Sequence, residues 1–174
     1  MRELILFLSK EEIENIVKTL ALTISTHYLC KELIVVGVLN GALLFMSDLV
    51  RHLNPSIPVK MDTIRVKSYG SSSSSSGHIE LTKDIEMDIA GRDVLIVEDI
   101  IDSGLTLKFL LEHFILKNPS SIKVCALINK TVRREKDIMI DYPGFTVQTD
   151  FLVGYGLDHD ENFRHLPEIY SLRL

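Results

Sequence analysis

The run from Val94 to Leu107, reading VLIVEDIIDSGLTL, constrains this chain more than any other part of it. Val94 to Val97 is a short continuous apolar stretch, typical of a strand covered on both faces. The turn Asp102-Ser103-Gly104-Leu105-Thr106 then opens a helix. A turn of this kind gathers backbone N–H groups at a helix N-terminus, where a phosphate can bind. Glu98 and Asp99, at the strand end, fit a different task. Two adjacent negative side chains would repel a bare polyphosphate, so they suit sugar hydroxyls and a divalent cation. A phosphate cradle beside hydroxyl-binding acids points to a phosphorylated ribose. An ordinary turn in which Asp102 or Ser103 only caps a helix would account for the turn residues. It would leave the like charges of Glu98 and Asp99 unexplained.

The flanking segments supply partners for this strand and helix. Ser9 with Glu12 three residues on is a capping-box pattern. Ile13, Ile16, Val17, Leu20 and Ile24 follow at helical spacing, which predicts a helix over 10–29. Leu33 to Val38 reads as a buried strand, Asn40-Gly41 as a turn, and Ala42 to Leu53 as a helix ended by Asn54-Pro55. Residues 58–67 form another strand candidate. Leu105 to Leu116 reads as a helix stopped by Asn118-Pro119, and Val124 to Ile128 as a further buried strand. Strands alternating with helices predict an α/β fold whose sheet is mostly parallel, with right-handed crossovers. Ligands in such sheets bind at the carboxyl ends of the strands, where each of these turns falls.

A chain of 174 residues fits one domain, 1–174. With 19 Lys and Arg against 24 Asp and Glu, the net charge of −5 argues against a general nucleic-acid binder. No apolar run is long enough to span a bilayer. The apolar stretch Met1 to Leu8 is too short for a signal-peptide core, so a cytoplasmic location is expected. Cys30 and Cys125 lack metal spacing and read as reduced, largely buried thiols. The serine run Ser71 to Ser76, flanked by Gly70 and Gly77, reads as a mobile flap joining two antiparallel strands. A linker with no task is the plainer alternative.

The Val94–Leu107 run resembles, without a gap, the phosphoribosyl-pyrophosphate signature of the type I phosphoribosyltransferases. The tail Asp150 to Asp158, then Asn162-Phe163-Arg164, and Lys130 upstream are similar to the hypoxanthine-guanine branch of that family. The resemblance covers roughly residues 9–172. It implies the type I phosphoribosyltransferase fold: a central, mostly parallel sheet flanked by helices, a small hood built from the two chain ends, and a mobile flap at about 68–80.

The resemblance also implies an activity, the transfer of a 5-phosphoribosyl group from phosphoribosyl pyrophosphate to a 6-oxopurine. Glu98 and Asp99 would hold the ribose diol and Mg²⁺, with Asp158 as a further magnesium ligand. Asp102 would act as the catalytic base. Asp102, Ser103, Gly104, Leu105 and Thr106 would hold the 5-phosphate. Leu39, Asn40 and Gly41 would touch pyrophosphate through a backbone that is often strained in the family, helped by Ser68, Tyr69 and Arg164. Many relatives carry lysine where this chain has Asn40, which removes a side-chain charge there. Leu105 replaces the lysine of animal relatives and looks bacterial.

The purine would meet Lys130, Phe151, Leu152 and Asp158. Phe151 offers a flat face for stacking, although a phenylalanine is more often buried in a core. An ammonium at Lys130 can donate to a 6-oxo group and rejects the amino group of adenine. Without the resemblance, Lys130 would read as a surface lysine. The ranking of hypoxanthine, guanine and xanthine stays open, and so does the oligomer, with dimers and tetramers both found among relatives. The same fold also serves non-catalytic regulators that bind phosphoribosyl pyrophosphate or nucleotide, the competing reading. A Rossmann dinucleotide enzyme is a weaker reading still, because no Gly-x-Gly-x-x-Gly opens the first helix.

Overall fold

The computed structural model describes residues 3–69, 78–132, 135, 138–148 and 151–173. In chain order its elements are β1 (Glu3–Leu8), α1 (Lys10–His27), β2 (Leu33–Leu39), α2 (Leu43–His52), β3 (Val59–Tyr69) and β4 (His78–Lys83), followed by β5 (Asp93–Ile101), α3 (Leu105–Ile115), β6 (Ser121–Lys130), β7 (Tyr142–Val147), β8 (Leu152–Val153) and β9 (Ile169–Arg173). Six strands form the main sheet in the order β4-β3-β2-β5-β6-β7. Every pairing in it is parallel except β3 with β4. The α/β fold expected from the sequence is the one observed.

Period-two alternation divides each central strand between two apolar layers. Leu33, Val35, Leu95, Val97, Cys125 and Leu127 face α1 and α2, packing on Ile13, Val17, Ile24, Phe45 and Leu49. Ile34, Val36, Val94, Ile96, Val124 and Ala126 face α3, packing on Leu107, Leu110 and Phe114. Strands clad on both faces need apolar residues at every position, which is why they read as unbroken runs. The capping box holds as expected. Ser9 Oγ accepts from the Glu12 amide, and the Glu12 carboxylate accepts from the Ser9 amide at 2.8 Å. The edge position of β7 explains how it accommodates Pro143, which has no amide to give to a ladder.

The two chain ends meet in a second, three-stranded sheet of order β1-β9-β8. Glu3 pairs with Arg173 and Leu152 with Ser171, both antiparallel. This small sheet fits the hood implied by the resemblance.

Several expectations need correction. Cys30 is exposed, in a turn with φ 60° just past α1, and only Cys125 is buried. Helix α1 stops at His27 rather than 29, because Tyr28 leaves helical geometry while its amide still bonds the Ile24 carbonyl. Helix α2 begins one residue later than expected and ends one residue earlier, and α3 ends at Ile115. Strand β3 runs two residues further, to Tyr69. Strand β5 continues through Glu98 and Asp99 to Ile101, so the acids sit inside a strand. Parallel pairing with β6 extends to Ile101 and overrides the local polarity. By the same pairing, Lys130 is the last residue of β6 and does not follow it. The antiparallel strands β3 and β4 are present as expected, but the serine run between them lies outside the described residues.

Candidate active site

Strands β2, β5 and β6 end together at the carboxyl edge of the main sheet, and each delivers a polar group there. From β5 come Glu98 and Asp99, on opposite faces of the strand because side chains alternate. Glu98 is 6% exposed among apolar strands. Burial pushes its carboxyl well above the ordinary range, and the neighbouring Asp99 charge adds to this. Asp99 is pushed up to about 6 by burial, against backbone hydrogen bonds and the Arg164 charge, which pull it down. The nearby Asp158 charge acts in the same direction as burial. A cation beside two adjacent carboxyls held this way would favour their charged forms.

Past β5 the chain turns through Asp102 to Gly104. Gly104 stands at the N-cap of α3 with φ 83°, a left-handed conformation that glycine adopts without a Cβ clash. The first amides of a helix have no intrahelical acceptor, so those opening α3 can face an anion. Ser103 Oγ accepts from the Leu105 amide at 3.3 Å, and the Ser103 carbonyl accepts from the Glu135 amide at 3.0 Å. The second bond latches the segment after β6 onto the turn. Asp102 has one carboxylate oxygen, Oδ1, buried with no hydrogen-bond partner. Its Oδ2 lies 3.6 Å from Lys130 Nζ. The Lys130 side chain is 12% exposed, so it is not a solvated surface lysine.

Behind β2 the Leu39–Asn40 peptide is cis, and Gly41 follows. A Cβ on Gly41 would fall 1.9 Å from Asp99 Oδ2. One on Gly156 would fall 2.0 Å from the Gly41 carbonyl oxygen. Three distant segments therefore touch through glycines: the β2–α2 loop, the acids of β5 and the 154–158 loop of the hood. Sequence reasoning missed Gly156 as a site residue. The signal was there in Gly154-Tyr155-Gly156, two glycines at φ 98° and 99° around a residue at φ 49°.

Arg164 fixes that loop. Its guanidinium donates to the Gly156 carbonyl at 2.8 Å and pairs with Asp158 Oδ1 at 2.8 Å and Glu161 at 3.1 Å. Tyr155 also anchors it, donating its hydroxyl to Asp48 of α2 at 2.7 Å. Leu152 is buried in β8 and paired with β9. Phe151, just before it, is 46% exposed and is not a core residue. Its ring meets His159 edge to face. Thr106 and Leu105 open α3, as expected. Ser68 and Tyr69 close β3, and nothing is described of their side chains. A cleft of about 360 Å³ lies between α1, α2 and the hood, lined by Val17, Asp48, His52, Tyr155 and Leu166 among others. It holds none of the acids of β5.

Among the described residues no three His, Cys, Asp or Glu side chains converge to hold a metal unaided. A hard cation at Glu98 and Asp99 would complete its oxygen shell from a bound ligand, as Mg²⁺ does with phosphates. The edge thus combines a glycine turn that opens a helix, one buried and one partly buried acid, an aspartate with an orphaned oxygen, an enclosed lysine and an exposed aromatic face.

Residues 7–161 match the family model described as the phosphoribosyl transferase domain. The chain is 45% identical over 166 residues to the hypoxanthine-guanine phosphoribosyltransferase of Bacillus subtilis, covering 95% of this chain and 91% of that one. It is 44% identical to the enzyme of the same name from Aquifex aeolicus, over 98% and 96% of the two chains. The crystal structure of a hypoxanthine-guanine phosphoribosyltransferase from Bacillus anthracis, with HEPES in its active site, superposes with a TM-score of 0.91. It is 40% identical to this chain, and the match covers 100% of both.

Proposed function

The chain belongs to the phosphoribosyltransferase family, and from that we infer that it is a pentosyltransferase of purine salvage. It transfers the 5-phosphoribosyl group of phosphoribosyl pyrophosphate to a 6-oxopurine, hypoxanthine or guanine, giving IMP or GMP and pyrophosphate. The observation that carries the reading is the carboxyl edge itself. The buried Glu98 with its partly buried neighbour Asp99, the Gly104 turn and the Lys130–Asp102 pair stand within one βαβ unit.

The reaction breaks the bond from the anomeric carbon to pyrophosphate and forms one to an imidazole nitrogen of the purine. Positive charge develops on the anomeric carbon, as in glycoside cleavage. The α3 amides, with the Ser103 and Thr106 hydroxyls, hold the 5-phosphate and so fix the ribose. Glu98 and Asp99 orient the ribose diol. Asp102 takes or shares the imidazole proton, a task suited to a carboxylate whose Oδ1 has no competing partner. The backbone at Leu39, Asn40 and Gly41, with Arg164, receives pyrophosphate, and Ser68 and Tyr69 lie at the root of the proposed flap. Lys130 donates to the 6-oxo oxygen, Phe151 stacks on the purine, and the Leu152 backbone meets its edge.

Mg²⁺ would be held by Glu98, Asp99 and Asp158, with bound substrate oxygens completing a shell that these acids do not enclose unaided. When bound, it neutralises charge on the departing pyrophosphate. We further propose a homo-oligomer that uses the face of α2 carrying exposed Leu43 and Leu44. Among the described residues no helix is long and apolar enough to cross a membrane.

The test is to incubate the protein with phosphoribosyl pyrophosphate and Mg²⁺ and follow pyrophosphate release. Hypoxanthine, guanine, xanthine, adenine and uracil are offered separately. Release with hypoxanthine or guanine, and none with adenine or uracil, is the expected result. No release with any 6-oxopurine would overturn the reading.

A further inference from the structure

Phe151 is 46% exposed, so its ring is only partly held by packing. The rotation of a phenylalanine ring about its second torsion is broad, so packing must choose its plane. Among the described residues the ring that Phe151 meets is His159, at 5.3 Å between centroids and 84° between planes. That perpendicular arrangement is the one favoured by the charge distribution of aromatic faces and edges.

Both rings stand on fixed backbone. The Phe151 carbonyl accepts from the Leu172 amide at 2.8 Å, which ties it to β9. His159 and Asn162 exchange amide-to-carbonyl bonds at 3.2 and 3.1 Å, and Asp158 Oδ2 accepts from the Glu161 amide at 2.9 Å. The 158–162 segment is therefore a closed loop with His159 built into it. The His159 side chain is 19% exposed against 46% for Phe151 as a residue, so His159 is the enclosed partner and Phe151 the presented one.

We propose that His159 is a positioning residue for the purine: its ring fixes the plane of Phe151 and leaves one face ready for the base. This rests on the placement of the base against Phe151. A preset platform spares the ordering cost that a loose ring would charge against each binding event. The effect should fall on base binding: the two rings contact each other and, for His159, Asp160 at 3.6 Å, and these contacts include neither the phosphate turn nor Glu98 and Asp99.

The test measures KM for hypoxanthine, KM for phosphoribosyl pyrophosphate and kcat in four proteins: wild type, His159→Gln, His159→Phe and Phe151→Ala. His159→Gln removes the ring, and His159→Phe keeps one. The expected result for His159→Gln is a rise in the hypoxanthine KM of about three- to ten-fold, the range of an aromatic pair. KM for phosphoribosyl pyrophosphate and kcat should stay near wild type. His159→Phe should restore the hypoxanthine KM. Adding His159→Gln to Phe151→Ala should raise it no further. An unchanged hypoxanthine KM in His159→Gln, while Phe151→Ala is impaired, would overturn the positioning role alone. An unchanged KM in Phe151→Ala would overturn the stacking placement and this proposal with it. If His159→Gln is unstable, failure of the folded His159→Phe protein to hold the wild-type base KM would overturn it too.

Discussion

The floor of the site and its hood solve opposite problems. The floor, β5 running into α3, is contiguous in sequence and buried in the sheet. Its acids are costly, because Glu98 and Asp99 are held above their ordinary protonation range mainly by burial. The hood is assembled from both ends of the chain, and its acid Asp158 is neutralised at once by Arg164 at 2.8 Å. Among the described residues, Glu98 and Asp99 of the floor have no cationic side chain paired with them, whereas the acids of the hood, Asp158 and Glu161, already pair with Arg164. The two regions meet at a seam, where Gly156 packs on Gly41 and Gly41 on Asp99.

The largest effect should come from the floor. Asp102→Asn removes the proposed proton acceptor while keeping shape, so kcat should fall by about a hundred-fold or more. Affinity for phosphoribosyl pyrophosphate should hardly change. Steady-state kinetics against both substrates checks this, and equal turnover would leave the floor a mere cradle. Next comes the seam. In Gly156→Ala the new Cβ would sit 2.0 Å from the Gly41 carbonyl, at a φ of 99° that strains any side chain. Backbone cannot yield as a flexible side chain does, so hood and floor must separate. A drop in kcat/KM of up to about a hundred-fold is expected, with the fold kept by circular dichroism. Wild-type kinetics would show that the two regions work independently.

The contrast also sets what the sequence could reveal. The floor was legible because its acids, turn and helix start lie within one run, from Val94 to Leu107. Buried parallel strands announce themselves by unbroken apolar residues, so β2, β5 and β6 were found, each shorter than it is. The hood strands were not found one by one. Strand β8 has two residues and no period, and β1 is recognisable only once Glu3 is seen beside Arg173. The bond from Glu135 to Ser103 and the Gly156–Gly41 contact are long-range facts with no local pattern. Cys30 was misread because composition favours buried thiols, whereas its position just past the end of α1 exposes it.

The charge of the floor can be weighed by pH in the absence of metal. Asp99 sits at about 6 in the folded chain, against an ordinary value of 3.8. A carboxyl whose pKa is raised on folding binds its proton more tightly in the folded state. Between roughly pH 4 and 6, each step upward therefore costs the folded chain stability. Above that window the cost is fully present. Asp99→Asn removes it, so the variant should gain on wild type as pH rises from 5 to 8. The difference in melting temperature should grow by roughly 5 °C over that span. A flat difference would mean that the buried acids are already compensated, as those of the hood are.

The smallest expected effect tests how the hood is held. Tyr155 donates to Asp48 at 2.7 Å, joining the hood to α2. Burial and the Asp48 carboxylate both push the phenol up, so it stays protonated and remains a donor. Tyr155→Phe deletes this bond but keeps the ring, which is buried. Asp48 is 41% exposed and can turn to water, so no orphaned charge is left behind. The loss should be about 1 kcal/mol, or roughly 2–4 °C in melting temperature. Turnover should stay close to wild type, because the Gly156–Gly41 packing and the Arg164 bond to the Gly156 carbonyl remain. A large fall in kcat with little change in stability would place the grip of hood on floor in this one hydroxyl instead of in the glycine seam.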